Sequence, residues 1–233
     1  YMEGGSELSL ALNARGGVPP DPALSQKEGF THLVNGVSYT APATSDCAGR
    51  SRPLRRPMKT YVILGGGGSF GVHTAMYLLN HADPKRVIAV GRNPEKPEPF
   101  SLNVGKGDPR YAYHQIHVVH EQDRLFELFD AEKPEVIISY CAQGEGAASW
   151  KKSWRFFETN CVALSRMIEE LMRRDYLGRF IQIGTSELYG SVDFAAKEDT
   201  PIQPTSPYAA SKAAFDMYLL SVSKVLSFPM NII

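Results

Sequence analysis

The sequence is poor in the features that mark several protein classes, and each shortage narrows its reading. Among 233 residues there are three cysteines, Cys47, Cys141 and Cys161, odd in number and without paired spacing. That usage points away from a disulfide framework and toward reduced thiols in a cytoplasm. No apolar run approaches the length needed to cross a bilayer, and the amino terminus has no basic segment followed by an apolar one, so neither a membrane span nor a signal peptide is expected. Neither sign of charge is in excess: 25 basic residues balance 25 acidic ones, which gives no pull toward nucleic acid or a membrane surface. No internal repeat is visible. Three of the six histidines, His114, His117 and His120, recur at i, i+3 and i+6, but on what reads as a strand. No acidic or cysteine cluster completes a ligand set, so no metal site is expected.

What the chain does contain is enough apolar sequence, 43% of its residues, to bury a full core. Its most ordered stretch is KTYVILGGGGSFGVHTAMYLL, where the β-branched run Tyr61 to Leu64 breaks into four glycines and then into helical apolar spacing at Val72, Ala75, Met76, Leu78 and Leu79. Strand, glycine turn and helix in that order suit a pyrophosphate. Glycines permit a positive φ and close backbone approach, and the helix N-terminus supplies free N–H donors at the positive end of its dipole. Two spacings are satisfied at once, Gly65-x-x-Gly68-x-x-Gly71 and Gly66-x-Gly68-x-x-Gly71, so the motif alone does not choose between dinucleotide-binding families.

The next strand, RVIAV, ends in Gly91-Arg92-Asn93. An acid at such a strand end takes the ribose 2′-hydroxyl of NAD; a guanidinium favours the 2′-phosphate of NADP, with Asn93 as a helper. A surface arginine in a proline-rich loop is the competing reading. Further along, HQIHVV reads as a strand, DRLFELFDAEKP as a helix stopped by Pro134, EVIISYCAQ as a buried strand and SWRFFETNCVALSRMIEELMRRD as one long amphipathic helix. RFIQIGTSELYG is a strand and SPYAASKAAFDMYLLSVSKVL a helix. Short apolar strands alternating with amphipathic helices predict an α/β fold with a parallel sheet covered on both faces, whose ligands bind at the carboxyl ends of the strands.

In the last of these helices Tyr208 and Lys212 stand four residues apart, hence on one face. An ammonium there can lower the pKa of a phenol from its ordinary value of about 10 and make it a usable base. By itself that spacing also fits an ordinary solvated helix face. At the preceding strand end, Thr185 and Glu187 lie two apart; extended backbone would point both side chains to one side.

From about Thr60 to the end the chain resembles the NAD(P)-dependent epimerase/dehydratase family, the extended short-chain dehydrogenase/reductases that modify nucleotide sugars. The match runs through GGGGSFG, CAQ, FFETN, IGTSELYG, EDTPIQPTSPYAASKAA and FPMNII in order and spacing. The resemblance implies a Rossmann-like doubly wound parallel sheet, a nicotinamide cofactor held by Gly65, Gly68, Ser69, Phe70, Gly71, Arg92, Asn93, Gln143 and Asn160, and catalysis by Thr185, Tyr208 and Lys212. In that pattern Tyr208 takes the proton from a sugar hydroxyl while hydride passes to the nicotinamide. Lys212 holds the nicotinamide ribose, and Thr185 hydrogen-bonds the reacting oxygen. Glu187 implies the elimination step of a dehydratase, and Ser149, Thr185, Ser186 and Glu187 are implied substrate contacts.

Thr185-Ser186-Glu187 resembles GDP-mannose 4,6-dehydratases and UDP-glucuronate decarboxylases more than dTDP-glucose 4,6-dehydratases. The same-family alternatives are a 4-epimerase or a decarboxylase, and a different class is a non-catalytic NADP-binding module. The full-length enzyme is expected to be a homodimer acting in the cytoplasm on a nucleotide sugar. Two positions depart from the family pattern. The acid that contacts adenine is replaced near Val118, and a histidine after the CAQ segment is replaced by Glu145 or Gly146.

Residues 1–57 differ from the rest. They are rich in Gly, Pro, Ser and Ala, and end in the basic stretch GRSRPLRRP before Met58. They read as an irregular extension or the remnant of a fusion, with room in KEGFTHLVNGVSYTAP for one or two short strands. A nucleic-acid-binding arm of Arg50, Arg52, Arg55, Arg56 and Lys59 is disfavoured because no aromatics are interleaved. Met58 resembles a natural start for the cofactor domain, 58–233. Family members continue into a substrate lobe beyond the position of Ile233, so cofactor binding with little turnover is the expectation for this stretch alone.

Overall fold

A computed structural model describes residues 31–34, 37–40, 58–144 and 146–233. Two units are distinguished, with the division between Arg55 and Arg56. In the first, β1 (Thr31–Val34) and β2 (Val37–Thr40) pair antiparallel with Thr31 opposite Thr40, which are the short strands expected in that stretch. Cys47, Glu145 and the arginines of the basic stretch lie outside the described residues.

The second unit is built on six parallel strands: β3 (Thr60–Leu64), β4 (Arg86–Gly91), β5 (Tyr111–Gln115), β6 (Val136–Ser139), β7 (Arg179–Gln182) and β8 (Met230–Ile232). Their spatial order is β5-β4-β3-β6-β7-β8, so the chain winds outward from β3 first to one side and then to the other. That is the doubly wound order whose crevice opens where the winding reverses, between β3 and β6.

The alternation of side chains explains how both faces are covered. Ile63, Val87, Val136 and Ile138 turn to one face and pack under Val72, Ala75, Leu78 and Leu79 of α1 (Ser69–His81). Val62, Leu64, Ile88, Val90 and Ile137 turn to the other, beneath Leu125 and Phe129 of α2 (Gln122–Glu132), Leu164, Met167, Ile168 and Leu171 of α4 (Leu164–Leu171), and Phe215, Leu219 and Val222 of α5 (Pro207–Leu226). Burial on both faces is why these strands are continuously apolar.

Three expectations need correction. The strand placed over 114–119 spans Tyr111–Gln115, and His117 and His120 lie in the loop after it. The polar network of that loop bends the chain: His117 N–H donates to Glu121 Oε2 at 2.7 Å, and Val119 N–H donates to His117 Nδ1 at 3.2 Å. The long helix after β6 is interrupted. It is α-helical over α3 (Ser153–Phe157), widens to a π-helical segment over Glu158–Ala163, and resumes as α4. Finally, the strand ending in Thr185-Ser186-Glu187 stops at Gln182. Thr185 is extended, with φ −154° and ψ 138°, but Ser186–Tyr189 curl into a 3₁₀ turn, so Thr185 and Glu187 are not related as alternate residues of a strand.

Candidate functional site

The carboxyl ends of β3, β4, β5 and β6 open into a cavity of about 450 Å³. Gly65, Gly67 and Gly68 form its floor at the switch point. Gly65 has φ +78°, and a Cβ on Gly71 would stand 2.5 Å from the Gly65 carbonyl oxygen, so a side chain at either position would be strained or would push α1 off the turn. Gly68 caps α1 in extended conformation, presenting the free N–H groups of the first turn toward the opening. Ser69 and Phe70 belong to that first turn. Phe70 is exposed and stacks on Tyr140 at 6.1 Å between ring centroids.

On the β4 side Arg92 and Lys96 bring positive charge to the wall; His117 and His120, from the loop after β5, and Arg155 and Glu158 also line the cavity. Asn93 lines it as well, and its carbonyl accepts from Tyr113 OH at 2.8 Å, while the Arg92 carbonyl accepts from Gln115 Nε2 at 3.3 Å. These bonds fix the loop and leave the Arg92 guanidinium to reach across to Gln143 Oε1 at 3.4 Å. Val118, near which the sequence lacks the expected adenine-contacting acid, is buried and apolar.

On the β6 side a buried amide organises the backbone. Asn160, fully buried in the π-helical segment, accepts from Gln143 N–H at 2.6 Å and donates to Gln143 O at 3.1 Å and Ser211 Oγ at 3.0 Å. Ser211 Oγ in turn donates to the Tyr208 carbonyl at 2.7 Å. One side chain thus ties the loop after β6 to the first turn of α5. The widened turn is the device that aims Asn160 sideways, a common use of π segments at functional sites. Ser211, next to Lys212 in sequence, was not among the expected site residues; its neighbour was the signal that could have found it.

Helix α5 starts where its sequence says it should. Ser206 Oγ accepts from Ala209 N–H at 3.1 Å, and Pro207 occupies the first helical position, where a missing N–H costs nothing. Tyr208 therefore sits in the first turn, its ring edge-on to Phe156 at 6.4 Å. Lys212 is 2% exposed, and its Nζ donates to the Ile183 carbonyl at 2.5 Å, just beyond the end of β7. Burial pulls its pKa down from the ordinary lysine value, and the Asp216 carboxylate one turn on pushes it back up. Asp216 is 3% exposed with neither carboxylate oxygen hydrogen-bonded, and burial raises its pKa to about 6.

The same edge of the sheet carries Thr185, whose Oγ1 accepts from Glu187 N–H at 3.3 Å. The Glu187 carboxylate is exposed and borders Gly146: a Cβ there would lie 3.3 Å from Glu187 Oε2 and 3.8 Å from Ser206 Oγ. Ser186 is exposed beside it. Ser149 is fully buried, its hydroxyl donating to Gly146 O at 2.5 Å within its own turn. Of the expected residues, Gly65, Gly68, Arg92, Asn93 and Gln143 line the cavity directly, and Asn160 supports it from behind. Among the described residues, no group of three His, Cys, Asp or Glu side chains is placed to hold a metal ion, and no helix is long and apolar enough to cross a membrane.

Residues 61–231 match the NAD dependent epimerase/dehydratase family. The chain belongs to that family. It is 31% identical over 175 residues to human dTDP-D-glucose 4,6-dehydratase, covering 75% of this chain and 49% of that protein. It is 25% identical over 184 residues to the dTDP-D-glucose 4,6-dehydratase of Dictyostelium discoideum, covering 73% and 42%. The crystal structure of a dTDP-glucose 4,6-dehydratase from Streptomyces venezuelae, solved with NAD bound, superposes with a TM-score of 0.65 at 25% identity over 74% of this chain and 54% of that one. The fold is shared equally with the UDP-Glc/GlcNAc 4-epimerase of Campylobacter jejuni, at a TM-score of 0.66 and 22% identity over 75% and 52%. The chain spans about half the length of the relatives it matches.

Proposed function

We propose that residues 58–233 are the cofactor domain of a nucleotide-sugar 4,6-dehydratase-type enzyme that oxidises its sugar transiently at carbon 4. The observation that carries this reading is the buried Lys212, held by the Ile183 carbonyl at the end of β7 on the same helical face as Tyr208. A lysine sequestered so completely serves a bound group rather than solvent.

The residues divide the work as follows. Gly65, Gly68, Ser69, Phe70 and Gly71 shape the turn that takes the cofactor pyrophosphate on backbone N–H groups. Gln143 and Asn160 set the floor beside the nicotinamide. The cofactor, when bound, accepts the hydride and later returns it. Tyr208 receives the hydroxyl proton, Lys212 supplies positive charge beside it, and Thr185 hydrogen-bonds the reacting oxygen. Glu187, exposed beside Gly146, stands free to take a sugar proton and assist loss of water. Ser149 and Ser186 complete the substrate side, Ser149 by shaping the turn at Gly146. A 4-epimerase or decarboxylase uses the same first step, and the carboxylate of Glu187 is what favours dehydration.

Arg92 gives the cofactor preference. No carboxylate ends β4, and a guanidinium lines the cavity there, so NADP is favoured over NAD. Exposed apolar residues on α3, the π-helical segment and α5, including Trp154, Phe157, Val162, Met217 and Leu220, suit a homodimer interface. A cytoplasmic location fits the free thiols of Cys141 and Cys161.

The experiment is to incubate the full-length enzyme that carries this domain with nucleotide hexoses and follow loss of water by mass. Tyr208→Phe should abolish both nicotinamide reduction and water loss, and Glu187→Gln should keep the first and lose the second. Undiminished dehydration by Glu187→Gln would remove its role. For the cofactor, equal affinity for NADP and NAD, unchanged in Arg92→Ala, would sink the NADP preference.

A further inference from the structure

Deepening the NADP reading on which it rests, the geometry points to His117 and His120 as a second, protonatable half of the adenosine phosphate subsite, lining the same cavity as Arg92. We propose that this pair takes up a proton when the phosphomonoester of NADP binds, and that NAD, which lacks that group, binds without it.

Three observations carry the inference. First, the rings stack on each other at 4.4 Å between centroids, 27° apart, and both line the cavity that Arg92, Asn93 and Lys96 line. Second, Val118 between them in sequence is buried and seats the loop against the core, while both flanking imidazoles line the cavity. Third, the hydrogen bonds of His117 define its state. Its Nδ1 accepts from Val119 N–H at 3.2 Å, so the neutral ring carries its proton on Nε2 and has a donor to offer, while the proton that the pair takes up goes to the exposed His120 ring.

The charges around His117 disfavour the protonated ring in the absence of a ligand. Burial, the neighbouring His120 ring and the Arg92 guanidinium all hold the His117 pKa below the ordinary histidine value, while Glu121 at the start of α2 and Glu158 of the π-helical segment act weakly the other way. Lys96 and Arg155 add positive charge from the remaining walls. A phosphate dianion reverses the sign of that field, so protonation of an imidazole becomes favourable when the dianion arrives. By linkage, the affinity for the phosphate-bearing ligand rises as pH falls. The phosphate's own second ionisation, near pKa 6, works in the opposite direction because the site prefers the dianion. Tighter binding at lower pH therefore has to come from the protein.

The test is calorimetric titration of the 233-residue chain with adenosine 2′,5′-bisphosphate and with adenosine 5′-monophosphate, at about pH 6.5 and about pH 8, in two buffers of different ionisation enthalpy. The bisphosphate is expected to bind about fivefold more tightly at the lower pH with proton uptake, and the monophosphate to change less than about twofold. His117→Asn with His120→Asn should abolish the uptake and the tighter binding at the lower pH together, and His120→Asn alone, at an exposed position, should do the same with the fold intact. If the wild type prefers the bisphosphate equally at both pH values, or the double variant keeps the proton uptake, the histidine subsite is overturned while the Arg92 reading stands. If the wild type does not distinguish the two nucleotides at either pH, the NADP preference fails and the inference fails with it.

Discussion

The two ends of the sheet's carboxyl edge are built by opposite means. At the end beside β6, β7 and α5, side chains are buried and fully committed: Asn160 makes three hydrogen bonds, Lys212 is anchored on a backbone carbonyl, and Ser211 links the two. At the end beside β4 and β5, Arg92, Asn93 and His120 are exposed and the loop carrying them is tied by its backbone rather than by its functional groups. A group that must sit within a fraction of an ångström of a reacting bond needs the first kind of construction, because misplacement is costly there. Discrimination between two cofactors needs only charge near a phosphate, and that tolerates exposed, replaceable side chains.

The sharpest way to break the comparison is to remove one residue from each end. Asn160→Ala should strip partners from the part-buried Gln143 backbone and from the buried Ser211, and lower stability by about 3 kcal/mol. Arg92→Ala should change stability by less than about 0.5 kcal/mol. Chemical denaturation of the two variants checks this. Equal losses would mean that the ends are not differently built.

A second contrast lies within the glycine turn. Gly71→Ala places a methyl group 2.5 Å from the Gly65 carbonyl oxygen, in backbone that has little room to yield, and should destabilise by about 2 kcal/mol while weakening both cofactors alike. Gly67→Ala meets first the end of the flexible Tyr113 side chain, 2.8 Å from its hydroxyl, and should cost less than half as much. Thermal melts with and without NAD and NADP separate the two. A Gly71→Ala variant with wild-type stability would show that α1 can retreat from the turn.

How much of this was legible beforehand follows the same division. Strand and helix order could be read because the parallel sheet makes its strands continuously apolar, as in Val62-Ile63-Leu64 and Val136-Ile137-Ile138, and because Ser206-Pro207 announces a helix start. The glycine turn was readable for its backbone demands. What escaped was set by side chains acting on backbone at a distance. The loop at His117 bends because Glu121 reaches back to it, and the widened segment around Asn160 serves partners 17 and 51 residues away in sequence. Periodicity contains no sign of either. The turn at Ser186–Tyr189 broke the expected strand because Thr185 caps it locally, a competition between side chain and sheet that serine and threonine commonly win at strand ends.

Asp216 gives the finest test of the committed end, since it is buried there without a hydrogen bond. Its folded pKa, about 6, is raised above the unfolded value of about 3.9, so the fold prefers the protonated acid. Its stabilising contribution is complete below the unfolded value and is lost as pH rises through 6; above that, an ionised carboxylate is held in a buried site. Asp216→Asn should therefore match the wild type near pH 4 and exceed it at pH 8 by about 1 kcal/mol, the lost attraction to Lys212 offsetting part of the gain. The same substitution removes the negative charge that keeps Lys212 protonated, so the pH at which cofactor affinity begins to fall on the alkaline side should move downward. A variant that is more stable at pH 8 and yet loses cofactor at lower pH than the wild type would show that the buried acid is retained for the lysine and against stability. Unchanged cofactor affinity across that range would leave Asp216 as a packing residue and make the reaction end less tightly coupled than its hydrogen bonds imply.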